Sequence, residues 1–441
     1  MRKLKRVVVI ATVGAVAAAA LVGCGPKTGS EGDAKGVVKM VTWPGPEGDA
    51  MAKVVKAYNA GQGKKDGITV DNVLISREDT FNKEVALMTA KDSSMDVYFT
   101  ATYNVGQFSA SLDPLDGIDT SAYFPVAVDG LKYNDKLYAL PLDVSNHFLY
   151  YRTDLLDALA SDPAQTARYA EISKKVVGEA LVPKKPEDWS MDDFKATVAY
   201  FSQAENPASP TKYGTILQAK DLLYNTMIWN DVLWGYGGSW TDDSGKATID
   251  SEAGRKAVQL YADIYKNGWT SPDSAQAEFP ETQAALQSGQ VAVALQWSAA
   301  YADLADAAKS PKIADKIAIA PVPGGASHVH ALAVAINKYG KNKAAARKWL
   351  EYLATPEAMD AYAKAGGIPA MPDVLKQNTD LNAAFPVVID AVSKGYAEPV
   401  FPKTFEAYKE LADALSPAWV GQKPADEAVK QANAKLQDLL P

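Results

Sequence analysis

The sequence predicts an α/β protein built around a parallel sheet, on three observations. Strand-like and helix-like segments alternate from Val37 to Asn104 at a spacing that suits crossover connections. Helical periodicity returns through the rest of the chain, broken by short apolar runs at 291–295, 317–320 and 331–336. No repeat of 20–50 residues is present, which sets solenoids and propellers aside. At 441 residues the chain has length for two or three domains.

Val37–Trp43 reads as a strand and 44–48 as a turn. A helix over 49–60 turns Val54, Val55 and Tyr58 inward, and 68–75 is a second strand. Phe81, Val85 and Met88 stripe a second helix, and 96–99 is a third strand. Open sheets of this kind collect ligands at the carboxyl ends of their strands. That nominates Trp43 and Glu47 after the first strand, and Tyr103 and Asn104 after the third. Trp43 alone would suit a half-buried core position equally well.

The segment from Lys136 to Leu156 reads as two strands, 137–142 and 148–151, around the polar residues Asp143, Ser145, Asn146 and His147. Three readings stay open for this insert: a bulge, a surface edge, or a strand that passes between domains with its polar residues facing a cleft. A helix is expected over 154–169. A capping box at Ser190 and Asp193 starts another, with Phe194, Val198 and Phe201 on one face. A strand is expected at 211–217. An aromatic-rich helix over 222–234 carries Tyr224, Trp229 and Trp234, and a loop to Trp240 follows. Further helices are expected over 251–266, 282–288 and 344–353, then one from Pro356 behind the cap Thr355, and one over 425–440.

The first 23 residues carry an address. Arg2, Lys3, Lys5 and Arg6 precede the apolar, small-residue run 7–22, the pattern of a secretory signal. The run is too short and Ala-rich for a membrane span. Cys24 is the only cysteine, so no internal disulfide forms. Leu21-Val22-Gly23-Cys24 resembles the bacterial lipobox, which implies cleavage before Cys24 and lipidation of its thiol. Such an anchor holds a protein on a membrane without spanning it. Residues 24–36, Gly-rich and polar, read as a tether. Loss of the four basic residues with the leader takes the formal charge from −8 to −12. That balance argues against nucleic acid and against anionic lipid as partners of the protein surface.

Chemistry-bearing motifs are few. His328-x-His330 could hold zinc, but no third ligand stands nearby in sequence, and no metal is expected. No G-x-S-x-G, P-loop or G-x-G-x-x-G follows a strand, so neither a nucleophile nor a nucleotide cofactor is expected. Asp143 with Glu47 is the one guess at a paired-carboxylate hydrolase site. What stands out instead is a set of aromatic and hydrogen-bonding residues at element ends. Sugars offer C–H faces to rings and hydroxyls to polar groups, so such a set suits a carbohydrate cleft.

The order of these motifs resembles the extracellular solute-binding proteins of bacterial ABC importers, in the maltose-binding-like group. The pieces are the lipobox; Lys136–Pro141 running to Leu149–Leu155; Pro186-Glu187-Asp188-Trp189; Gly237-Gly238 before Trp240; Leu286–Ala292 followed by Trp297; Ala331–Ile336 followed by Lys341–Ala345; and Thr355-Pro356-Glu357 leading to Gly366-Gly367-Ile368-Pro369. The resemblance implies a two-lobed periplasmic-binding-protein fold crossed three times, near 144–146, 328–330 and 372–376. Lobe one would be 37–143 with 331–372, and lobe two 147–327 with 377–441. It implies a monomer on the cell surface or periplasmic face that delivers a carbohydrate to a permease, with no cofactor. Carried over residue by residue, the cleft candidates are Trp43, Glu47, Tyr103, Asn104, Asp143, Ser145, His147, Trp229, Asn230, Trp240, Trp297, His330, Gly367 and Tyr408. Two departures bear on ligand identity. Ser145 stands where many relatives have a carboxylate, and His328-Val329-His330 replaces their Gly-Gly-Trp. Other readings are a receptor for a polyol or another non-sugar solute, a surface glycoside hydrolase, or an adhesion lipoprotein.

Overall fold

Strands β1 (Gly36–Thr42), β2 (Ile68–Leu74) and β3 (Val97–Ala101) open the computed structural model, which describes residues 34–325 and 327–441, with Arg77 and Glu78 by backbone alone. The leader, Cys24 and most of the tether lie outside these residues. β1 pairs in parallel with both β2 and β3, as the alternating pattern predicts. A short hairpin follows, β4 (Lys132–Tyr133) on β5 (Lys136–Leu137), turning through Asn134 and Asp135 at positive φ. Then come β6 (Leu140–Arg152), β7 (Val293–Trp297), β8 (Ile317–Ala320) and β9 (Val329–Ile336). The order is β2-β1-β3-β9-β6-β7, with β8 also on β6. Every pairing from β9 onward is antiparallel, so the sheet is mixed where the spacing predicts a parallel one.

β6 organises the whole. The two strands expected on either side of the polar insert are one continuous strand, buried from Leu140 to Tyr150. Residues 140–146 pair with β9; residues 147–152 leave it and pair with β7 and β8. The strand is flanked on both sides, which rules out the surface-edge reading. A register shift does occur, between Pro141 and Asp143, at the first polar residue of the insert. Strand partners therefore change at Asn146–His147, at the end of the polar cluster.

Two other expectations are corrected. The helix expected over 154–169 is two, Thr153–Ser161 and Pro163–Val177. Pro163 cannot donate into the preceding turn, and the Asp162 carboxylate accepts from the Ala164 N–H at 2.8 Å to cap a new helix. Thr211–Leu217 forms no strand, only a single bridge between Tyr213 and Val291. Its donors go elsewhere: Gly214 and Thr215 N–H to the Trp269 carbonyl, and Leu217 N–H to the hydroxyls of Thr270 and Ser274. The capping box at Ser190 and Asp193 is present in both directions.

Helices cover the sheet with apolar faces. Helix Pro46–Ala60 buries Met51, Val54, Val55 and Tyr58, and the Tyr58 ring lies 4.7 Å from Trp349 of helix Lys343–Leu353. Such ring pairs add roughly 0.5–1.5 kcal/mol beyond the area they bury. Helices Leu223–Gly235, Glu252–Lys266, Thr404–Trp419 and Ala425–Leu439 pack together, with Trp419 in contact with both Trp229 and Tyr261. Among the described residues no helix is long and apolar enough to cross a membrane.

Candidate functional site

The carboxyl end of β1 makes the first wall of a cavity. Gly45, at φ 126°, turns the chain after Trp43, and Pro46 starts the next helix. Gly48 presses against this turn so closely that a Cβ there would lie 1.8 Å from the Trp43 carbonyl oxygen. The contact holds Trp43 and Glu47 at the mouth. The Trp43 ring packs edge-on to Phe99 at 4.5 Å and Phe81 at 5.7 Å. Tyr103 enters from the first turn after β3 and lies 6.3 Å from the Phe405 ring. β6 contributes Ser145, β7 ends in Trp297, and β9 contributes His330. Antiparallel register sets Ser145 opposite His330 and His147 opposite Trp297.

The resulting cavity holds about 180 Å³ and is lined by Trp43, Glu47, Tyr103, Ser145, Trp297 and His330. All six are sequence-nominated residues. Pro44, Gly45, Pro46, Phe279, Ala299 and Leu332 complete the lining. None of these was nominated. Pro44 to Pro46 stood in the same turn as Trp43, but no motif marks Phe279, Ala299 or Leu332.

The other nominated residues lie beside or beneath this cavity. Asn104 lines a neighbouring hollow of about 250 Å³ with Phe81, Phe405, Glu406 and Lys409. Asp143 is buried, and its Oδ2 accepts from the Tyr362 hydroxyl at 2.9 Å and the Ile368 N–H at 2.8 Å. Burial, with the Glu47 carboxylate nearby, pushes its pKa up to about 8 against those two bonds. Gly367 lies against the Tyr362 ring, 2.1 Å from where its Cβ would be, so glycine there lets the tyrosine reach Asp143. His147 is fully buried under Trp297, ring centroids 4.4 Å apart. Its pKa is lowered by burial, with Asp231 opposing.

Trp229 is a core residue, stacked obliquely on Trp419. Asn230, Trp240 and Tyr408 form a buried chain: Trp240 Nε1 donates to Asn230 Oδ1 at 2.9 Å, Asn230 Nδ2 donates to the Tyr408 hydroxyl, and that hydroxyl reaches His328 Nε2 at 3.3 Å. Asp231 and Glu398, which hold the histidines beneath the cavity, carry no motif that reading the sequence could have found.

Against this geometry, residues 53–386 match the family of bacterial extracellular solute-binding proteins, and the chain belongs to that family. A probable ABC transporter-binding protein of Deinococcus radiodurans is 29% identical over 377 residues, 80% of this chain and 82% of that protein. Among solved structures, the maltose-bound MalE3 of T. maritima superposes with a TM-score of 0.77 at 22% identity, over 92% of this chain and all of that one. A solute-binding protein from Agrobacterium radiobacter in complex with ribitol gives 0.72 at 18% identity, over 91% and 98%. These likenesses establish a maltose-binding-protein-like α/β fold. The protein is a solute-binding receptor and not an enzyme, which removes the hydrolase reading of Asp143 and Glu47.

Proposed function

We propose that the chain is the receptor of a bacterial ABC importer and captures a sugar or polyol in the cavity between Trp43, Tyr103 and Trp297. The observation that carries this is the lining: the aromatic rings of Trp43, Tyr103 and Trp297 together with Glu47, Ser145 and His330. The rings meet the C–H faces of a polyhydroxyl ligand while the carboxylate, hydroxyl and imidazole meet its hydroxyls. About 180 Å³ is below the roughly 300 Å³ at which drug-sized pockets begin, which favours one sugar unit or a short polyol in this conformation. The maltose- and ribitol-bound relatives support the same ligand class.

In this reading the protein has two lobes, 37–143 with 331–372 and 147–327 with 377–441. The change of partners along β6 at Asn146–His147 supports the first crossing. The second lies where β9 begins, and the third within the helix Pro372–Gln377. Solute that touches both lobes shifts an open–closed equilibrium by its preference for the closed form. The closed monomer then docks on the permease, while lipid on Cys24 keeps it at the membrane.

Thermal unfolding of the purified protein against a panel of sugars and polyols tests this. A ligand at 100 times its Kd adds about 2.7 kcal/mol of stability, so a true ligand raises Tm and is recovered intact. Trp297→Ala is expected to abolish that rise while the unliganded protein still unfolds cooperatively. A panel with no stabilising member, or Trp297→Ala with full affinity, contradicts the proposal.

A further inference from the structure

Beneath the solute cavity, the fold supplies the third ligand that sequence spacing did not. β6 and β9 are antiparallel with Ser145 opposite His330 and Asn146 opposite Val329, and His147 and His328 are the next residues beyond that ladder, where β6 leaves β9 for β7. His328 stands one residue before β9 and His330 is its second residue, and their rings lie side by side. All three imidazoles are fully buried, and one nitrogen from each falls within 4.8 Å of the others. Ring centroids are 3.6 Å apart for His328 and His330, 5.2 Å for His147 and His330, and 6.0 Å for His147 and His328.

Two buried carboxylates hold two of these imidazoles, those of His147 and His328, from outside. Asp231 Oδ2 lies 2.6 Å from His147 Nδ1, while its Oδ1 accepts from the His328 backbone N–H at 2.7 Å. Glu398 Oε2 lies 2.7 Å from His328 Nε2, while its Oε1 accepts from the Thr102 hydroxyl at 2.9 Å. A carboxylate on one ring nitrogen fixes the proton there and leaves the other nitrogen with its lone pair, the arrangement that metal-bound histidines use. His147 Nε2 is buried and has no hydrogen-bond partner. His328 Nδ1 meets the Met227 carbonyl oxygen at 3.4 Å, a long contact that metal ligation through this nitrogen would replace. Neither carboxylate pairs with Lys or Arg among the described residues; their ion pairs are with imidazoles. Buried carboxylates call for positive charge close by.

We propose that His147, His328 and His330 form a three-imidazole site for a zinc-class divalent cation, seated under the solute cavity where β6 exchanges β9 for β7. Imidazole nitrogen is the donor that zinc and its first-row neighbours favour. Zinc–nitrogen bonds of about 2.0–2.1 Å put tetrahedral nitrogens roughly 3.4 Å apart, so modest ring rotations close the triad on the ion. His330 also lines the solute cavity, which gives the ion its path in and leaves the fourth position facing that cavity. The site does not depend on which solute the cavity takes.

The test is zinc and cobalt titration of the chelator-stripped protein. The expected result is one equivalent of Zn²⁺ per chain by calorimetry, and with Co²⁺ the visible absorption of a low-coordinate, nitrogen-ligated ion. His330→Gln and His147→Gln should each weaken zinc at least tenfold, and Asp231→Asn about 10–100-fold, with far-ultraviolet circular dichroism reporting their fold. If a variant misfolds, the wild-type cobalt spectrum still decides. Substoichiometric zinc uptake, an all-oxygen octahedral cobalt spectrum, or zinc affinity unchanged in folded His330→Gln and His147→Gln would each overturn the site.

Discussion

Asp143 shows at a single residue what burial does to a carboxyl group. Its surroundings raise its pKa from 3.8 to about 8, through desolvation first and Glu47 second, despite the bonds from Ile368 and Tyr362. The folded state therefore holds a proton that the unfolded chain releases near pH 4. This contribution to stability is complete below pH 3.8 and is lost as pH rises toward 8. Urea melts from pH 4 to 9 should show wild type losing stability relative to Asp143→Asn across that window. Parallel profiles would mean that Asp143 is ionised in the fold. The tryptophans teach a different lesson at this scale. Trp43 and Trp297 stand at strand ends and line the cavity, whereas Trp229 sits within a helix that is buried on almost every side and packs into the core. Their residue type was legible in the sequence. The direction each ring takes was not, because it depends on Trp419 and on other partners far along the chain.

At the scale of elements, the local signals that carried through are those with a local mechanism. The capping box at Ser190 needs only Asp193, and the helix from Pro356 needs only Thr355, so both were legible. The break at Asp162–Pro163 was equally local, and a proline at that position should have ended the expected helix. β6 was not legible as one strand, because its continuity comes from partners more than a hundred residues later. The same holds for 211–217, whose strand-like composition is overruled by Trp269, Thr270 and Ser274. The close approach of helix Pro46–Ala60 to the end of β1 makes a sharper test. Gly48→Ala forces a methyl onto the Trp43 carbonyl, and strain of this kind costs about 1–3 kcal/mol. Guanidinium melts should show that loss together with weakened solute binding, since Trp43 and Glu47 move with the turn. A variant with wild-type stability and affinity would show that the turn does not brace the cavity.

For the whole molecule, the fold brings the ends of β1, β3 and β7 and the middle of β6 around one cavity, with a buried histidine–carboxylate layer below it. Six of the nominated residues meet at that cavity: Trp43, Glu47, Tyr103 and Trp297 come from the carboxyl ends of strands, and Ser145 and His330 from paired positions within β6 and β9. Tyr408, Asn230 and Trp240 came from the same resemblance and form a buried chain that leads to His328. The most direct measurement of the central claim uses the tryptophans themselves. In protein labelled with 5-fluorotryptophan, each resonance assigned by single Trp→Phe substitution, a sugar or polyol from the panel should shift Trp43 and Trp297 and leave Trp229, Trp349 and Trp419 in place. If a solute that binds shifts only the core tryptophans, or leaves Trp43 and Trp297 unmoved, the solute does not occupy this cavity.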